Sequence, residues 1–120
     1  MYYDETLDSV VLEWEGFVSD DPFREAMDAA IELARERNAI KMLGDSREMG
    51  TLDQEDQEWS FTDWAPRAEE VGLEHLAVVY PESVVAAMSV DNVMEATEGD
   101  DIERTVTDSR DEAEAWLAAR

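Results

Sequence analysis

Few side chains in this chain could do covalent chemistry. Nucleophilic catalysis needs a base beside the nucleophile, and the sequence offers one histidine, His75. Glu74 adjoins it, but the surrounding pattern predicts a strand entry, where neighbours point to opposite faces. A histidine there reads more simply as one satisfied by backbone or solvent. With no cysteine, the chain has no disulfide, thiolate metal site or cysteine nucleophile, and one histidine cannot supply the usual ligands of zinc. Asp53, Glu55, Asp56 and Glu58 crowd one predicted helix start, yet no calcium-loop spacing frames them. Acids in a first turn are ordinary complements of the helix dipole. The five glycines, at 16, 44, 50, 72 and 99, all fall at expected element boundaries, leaving none for a phosphate-cradling loop. These residues point to no enzyme, no metal, no cofactor and no catalytic site.

The aromatic and thioether side chains carry more information. Trp59, Phe61 and Trp64 share one predicted helix, and spacings of two and three residues spread them over more than one face. One of them is expected near the surface. Pro66 should kink that helix beside the cluster, making it a lid for an apolar cavity. Met42, Met49, Met88 and Met94 could line such a cavity with soft, adaptable walls. Three readings stand: plain core packing, a site for a small nonpolar ligand built on Trp59, Phe61, Trp64, Met42, Met49 and Met88, or a surface for a protein partner. The last includes a homodimer through the Trp59/Trp64 face.

The elements that must position these groups follow from periodicity. Residues 10–14 alternate as a strand with Val10, Leu12 and Trp14 on one face, pairing with a short strand at 2–3. Phe23, Met27, Ala30, Ile31 and Ala34 recur at helical spacing, with caps offered by residues 19–21. Residues 40–43 form a buried strand ending at Gly44-Asp45. Thr51 and Gln54 have capping-box spacing before the aromatic helix, which Gly72 ends. Residues 76–80 are a second buried strand. A helix over 83–97 is re-capped at Ser89, with Val84, Ala87, Met88, Val90, Val93 and Met94 as its apolar positions. Residues 102–106 alternate as an edge strand, and Asp108 or Ser109 caps a last helix through Leu117. The order ββαβαβαβα predicts one α/β domain over residues 1–120: a mostly parallel sheet of four or five strands covered by four helices.

The solvent coat is unusual. Thirty-two acids against nine bases give a net charge of −23. Residues 1–60 hold 17 acids and 5 bases, and residues 61–120 hold 15 and 4, so no acidic tail accounts for it. Lys41 is the only lysine. A phosphate backbone would be repelled, so no nucleic-acid partner is expected. A carboxylate coat over a whole domain suits molar salt, where the Debye length is only about 3 Å. The expected setting is the cytoplasm of a halophilic archaeon. Neither a membrane span nor a signal peptide shows in the sequence.

Several strings carry a likeness: Val11-Leu12-Glu13-Trp14-Glu15-Gly16-Phe17-Val18, Leu43-Gly44-Asp45-Ser46-Arg47, Trp64-Ala65-Pro66-Arg67, Leu76-Ala77-Val78-Val79-Tyr80-Pro81-Glu82-Ser83 and Glu112-Ala113-Glu114-Ala115-Trp116-Leu117. Over nearly the whole chain they resemble the SpoIIAA-like family, related in fold to STAS domains of anti-anti-sigma factors and sulfate transporters and similar to lipid-binding CRAL-TRIO domains. The resemblance implies a mixed sheet with four helices and, for some members, a nonpolar ligand between helices and sheet. A STAS phosphoswitch needs a hydroxyl at a helix start. Here that place falls near Asp53-Gln54, which has none, so no phosphosite is expected. Asp45-Ser46 looks superficially like the Asp-Ser pair, but Asp45 at a strand end is better read as bonding turn amides.

Overall fold

The computed structural model describes residues 1–16 and 20–120. Strand β1 (Tyr2–Asp4) turns back antiparallel onto β2 (Ser9–Gly16). The turn is closed by Asp4, whose carboxylate accepts from the Thr6 and Leu7 amides at 2.9 and 3.0 Å. Helix α1 (Asp20–Arg37) leads to β3 (Lys41–Met49), which lies parallel to β2. The expected cap at Ser19 lies outside the described residues. At the other end Asn38 takes φ +51°, and the Ala39 amide reaches back to the Ala34 carbonyl at 2.9 Å. Such a left-handed residue commonly closes a helix.

The next helical unit runs from 54 to 70 in three continuous pieces: α2 (Gln54–Trp59), a π-helical turn (Ser60–Trp64) and α3 (Ala65–Glu70). Strand β4 (His75–Val79), helix α4 (Val84–Ala96), strand β5 (Glu103–Thr107) and helix α5 (Arg110–Ala118) complete the chain. The sheet order is β1-β2-β3-β4-β5, parallel beyond the first pair. This is the mixed α/β architecture with four helical units that the periodicity predicts.

Topology dictates how the faces are covered. When successive parallel strands are neighbours, crossovers of one hand place every connecting helix on the same face. Thus α1, the 54–70 unit and α4 all cover one side, where Val10, Leu12, Trp14, Met42, Leu76 and Val78 meet Phe23, Ala30, Ile31, Trp64, Ala68 and Val90. Of the described helices α5 alone returns to the other side, laying Ala113 and Leu117 on Val11, Leu43, Ala77 and Val79.

Four local expectations need correction. β3 does not stop at Gly44-Asp45 but continues to Met49, because β2 goes on pairing with it past an irregularity between Glu13 and Glu15. Asp45 and Ser46 are therefore strand residues. Asp53, not Thr51, caps α2, its carboxylate accepting from the Asp56 amide at 2.8 Å. α4 is one unbroken helix, because Ser89 does not cap: its hydroxyl donates to the Ala86 carbonyl within the helix at 2.6 Å. The kink expected at Pro66 takes the form of the π turn, in which the Ala65 amide reaches the Ser60 carbonyl five residues back. Proline cannot donate to its own i−4 carbonyl, and a widened turn just before it absorbs the irregularity.

Candidate functional site

The three-helix side of the sheet is not filled. Between sheet and helices lies an apolar cavity of about 100 Å³. Its floor comes from strand positions that point the same way: Leu12 and Trp14 of β2, Met42, Gly44 and Ser46 of β3, Leu76 and Val78 of β4. Its roof is Phe23 and Met27 of α1, Ser60 and Trp64 of the π turn, and Val90, Val93 and Met94 of α4. Met49 and Leu52 join from the end of β3 and the following loop.

Three of the polar side chains in this wall, Ser60, Thr97 and Arg104, are engaged with protein. The Ser60 hydroxyl donates to the Asp56 carbonyl at 2.8 Å, and Thr97 donates to the Val93 carbonyl at 2.9 Å. Arg104 reaches the Asp100 carboxylate and the Thr97 and Ile102 carbonyls. Among the described residues no buried side-chain nitrogen or oxygen lacks a partner. The wall therefore offers mainly dispersion contacts and a hydrophobic surface.

The π turn sets where the aromatics go. An i→i+5 turn rotates residues five apart closer together than an α-turn does, so Trp59 and Trp64 both address α1. Trp64 is buried and its indole N–H donates to the Met27 carbonyl at 2.8 Å, fixing the ring as a roof tile. Trp59 sits further out, edge-on to Phe23 at 6.0 Å, with the Arg24 and Arg67 guanidinium carbons 5.4 and 5.7 Å from its ring centroid. Phe23 in turn stacks on Trp14 at 5.2 Å.

Of the six residues nominated from sequence, Trp64, Met42 and Met49 line the cavity and the other three do not. Trp59 is held between the two arginines outside it. Phe61, half-buried, faces a separate shallow cleft with Pro66, Ala96 and Glu98. Met88 is 60% exposed, on the outer side of α4 with Val84 and Val85, because the helix turns Ala86, Ser89 and Val90 inward instead. The Trp59/Trp64 face proposed for a homodimer is thus not an exposed apolar face. Trp14, Phe23, Met27, Gly44 and Val78 were missed as cavity residues. Their alternation and helical spacing mark them as inward-facing, but nothing in a pattern separates a filled interior from a hollow one.

The opposite face carries an ionic network. Arg110, in the first turn of α5, bonds Glu13 at 2.8 Å, Asp45 at 3.0 Å, Glu114 at 3.0 Å and the Tyr2 hydroxyl at 2.9 Å. Burial alone would raise the Asp45 carboxyl, but hydrogen bonds from Arg47 and Arg110 outweigh it and hold the group below its ordinary range. Ser46, 4% exposed, points to the cavity side. Asp45 thus anchors a helix, and also accepts from the Arg47 amide at 3.2 Å. At the far end His75 Nδ1 lies 2.8 Å from Glu103 Oε1, and the ring meets Trp116 edge-on. Of the acids at the start of α2, Asp53 caps the helix and Asp56 is buried against Arg24 at 3.2 Å. Among the described residues no group of three or more histidine or acidic side chains is placed to hold a metal ion, and no helix is long and apolar enough to cross a membrane.

A mixed five-stranded sheet with three helical units on one face and one on the other defines a STAS-like α/β domain. The SpoIIAA-like family profile matches residues 9–118, and the chain belongs to that family. No curated protein and no solved structure matches the chain significantly.

Proposed function

We propose that this SpoIIAA-like domain is a non-enzymatic binding module that holds a small nonpolar molecule in the cavity between the sheet and the α1, 54–70 and α4 roof. One observation carries the reading: a mainly apolar cavity of about 100 Å³ whose Ser60, Thr97 and Arg104 side chains are already bonded to protein. An apolar cavity of about 150 Å³ stays dry and takes up benzene, so this one suits a single ring or a short chain. Its methionine walls let the fit adapt.

Methionine methyl groups give a direct test. Met27, Met42, Met49 and Met94 line the cavity, whereas Met1 and Met88 are 51% and 60% exposed elsewhere. In a methyl-labelled protein, benzene should shift the four cavity resonances saturably and leave the two exposed ones still. Uniform small shifts, or none, refute the proposal. The alternative, a protein-interaction module, draws on the exposed Val84, Val85 and Met88 of α4. It requires that replacing them with polar residues abolish a partner contact without altering benzene uptake.

A further inference from the structure

The sheet has two edges, and they are not alike. β1 is three residues long and ends in the turn that Asp4 closes. β5, Glu-Arg-Thr-Val-Thr, is five residues long and pairs with β4 along its whole length. Its inner groups are identified by their bonds: the Glu103 amide donates to the Glu74 carbonyl at 2.8 Å, and the Thr107 carbonyl accepts from the Tyr80 amide at 2.8 Å. Alternation then turns the N–H and C=O groups of Arg104 and Val106 outward, and no described residue bonds them. An open edge is usually protected by a proline, an outward lysine or a short length. β5 has none of these, and its one cation is folded back onto Asp100 and the Thr97 and Ile102 carbonyls.

We infer that β5 is a homodimer edge, pairing antiparallel with β5 of a second copy about a twofold axis at Thr105 to make one ten-stranded sheet. This goes beyond the cavity reading and uses a different surface. The register that pairs all five residues sets Arg104 opposite Val106 of the second copy and Thr105 opposite its own counterpart. The outward backbone groups of Arg104 and Val106 then exchange both of their hydrogen bonds, twice over, as the antiparallel pattern requires. Thr105 falls on the non-bonded position, where facing threonines pack well. Directly opposite positions bring no like charges together: Glu103 meets Thr107 of the second copy, and Arg104 meets its Val106. Shifting the axis to Arg104 would face arginine with arginine. Beside the edge, Met94, Ile102 and Val106 line an open cleft of about 260 Å³ next to where Val106 of the second copy would lie. Each copy carries −23, so pairing needs screening and belongs to molar salt.

Sedimentation equilibrium in 2 M KCl should give twice the chain mass, shifting toward the monomer at about 0.1 M. Because the chain has no cysteine, Thr105→Cys introduces a single thiol. Under mild oxidation that variant should cross-link to a dimer, whereas Glu103→Cys, whose opposite residue is Thr107, should stay largely uncross-linked. Val106→Pro removes an outward amide and should give a folded monomer with unchanged circular dichroism. A chain that remains monomeric in 2 M KCl overturns the inference. So does a dimer in which Met88→Cys cross-links and Thr105→Cys does not, or a folded Val106→Pro chain that still dimerises. If Val106→Pro fails to fold, the Thr105→Cys and Glu103→Cys contrast decides alone.

Discussion

Gly44 sits in the middle of the central strand, paired with Leu12 on one side and Val78 on the other, at a place where glycine weakens a sheet. Its backbone does not need glycine, since the positive-φ glycines described are 16, 72 and 99. A Cβ built there meets only the Val78 Cγ2 methyl, at an ordinary 3.8 Å. The hydrogen faces the cavity floor. Gly44→Ala should therefore stabilise the fold. Restricting the unfolded chain contributes about 0.4–1 kcal/mol, and burying one more methyl about 0.8 kcal/mol. The sum, about 1–2 kcal/mol, should raise Tm by roughly 3–8 °C for a domain of this size. Calorimetry in molar salt measures it. The same methyl takes room from the cavity, so benzene uptake read on the methionine methyls should weaken at least about fivefold. A variant that melts below the parent refutes the argument, because it would mean that the floor beneath the roof is closed.

Further outcomes follow from the ionic groups. Arg110→Ala leaves Asp45, nearly buried, with Arg47 as its remaining described cation; unfolding free energy should fall by about 2–3 kcal/mol, seen as a lower urea midpoint. Glu103 is held down to about 2 from an ordinary 4.5 by hydrogen bonds from Arg120 and His75. A depressed carboxylate stabilises the fold above its ordinary pKa and loses that contribution as pH falls from about 4.5 toward 2. Glu103→Gln should therefore flatten the pH dependence of Tm in that window. With −23 on the chain, dilution from 3 M to 0.1 M KCl lengthens the Debye length to about 10 Å and should lower Tm markedly; melts that coincide across that range would refute adaptation to brine.

How much of this could be read from the sequence depends on what kind of fact is asked for. Strand and helix order follow from periodicity, which is local: Val10, Leu12 and Trp14 alternate, Phe23, Met27, Ala30 and Ala34 recur, and the structure turns each set inward. The extent of β3 was not legible, because Asp45 through Glu48 look like a polar turn. They stay in the sheet because β2 continues beside them and because Arg47 and Arg110 neutralise Asp45. Both causes are distant in sequence. Met88 was misread for the opposite reason: an apolar residue at helical spacing need not face inward, and α4 has more apolar residues than its buried side can hold. The roles of Trp59 and Trp64 hang on a π turn that shifts helical phase by one residue, which no count of threes and fours reveals.

The cavity itself has its origin one level above any residue. Successive neighbouring strands with crossovers of one hand put three helical units on a single face of the sheet, and those helices must share that face with one another. α1 leans on the π turn through the Trp64–Met27 hydrogen bond, and Leu52, at the entrance to α2, reaches α4 through the bond from its amide to the Ser89 hydroxyl at 3.4 Å. Each helix is thus braced partly by its neighbours rather than by the sheet alone. A roof supported sideways need not press on its floor, and Gly44 leaves the floor low where the roof spans it. On the other face α5 is the one described helix, so Ala113 and Leu117 sink fully onto Leu43 and Val79. The same rule that orders the strands thus fixes which side of the sheet carries the cavity and which side α5 packs against.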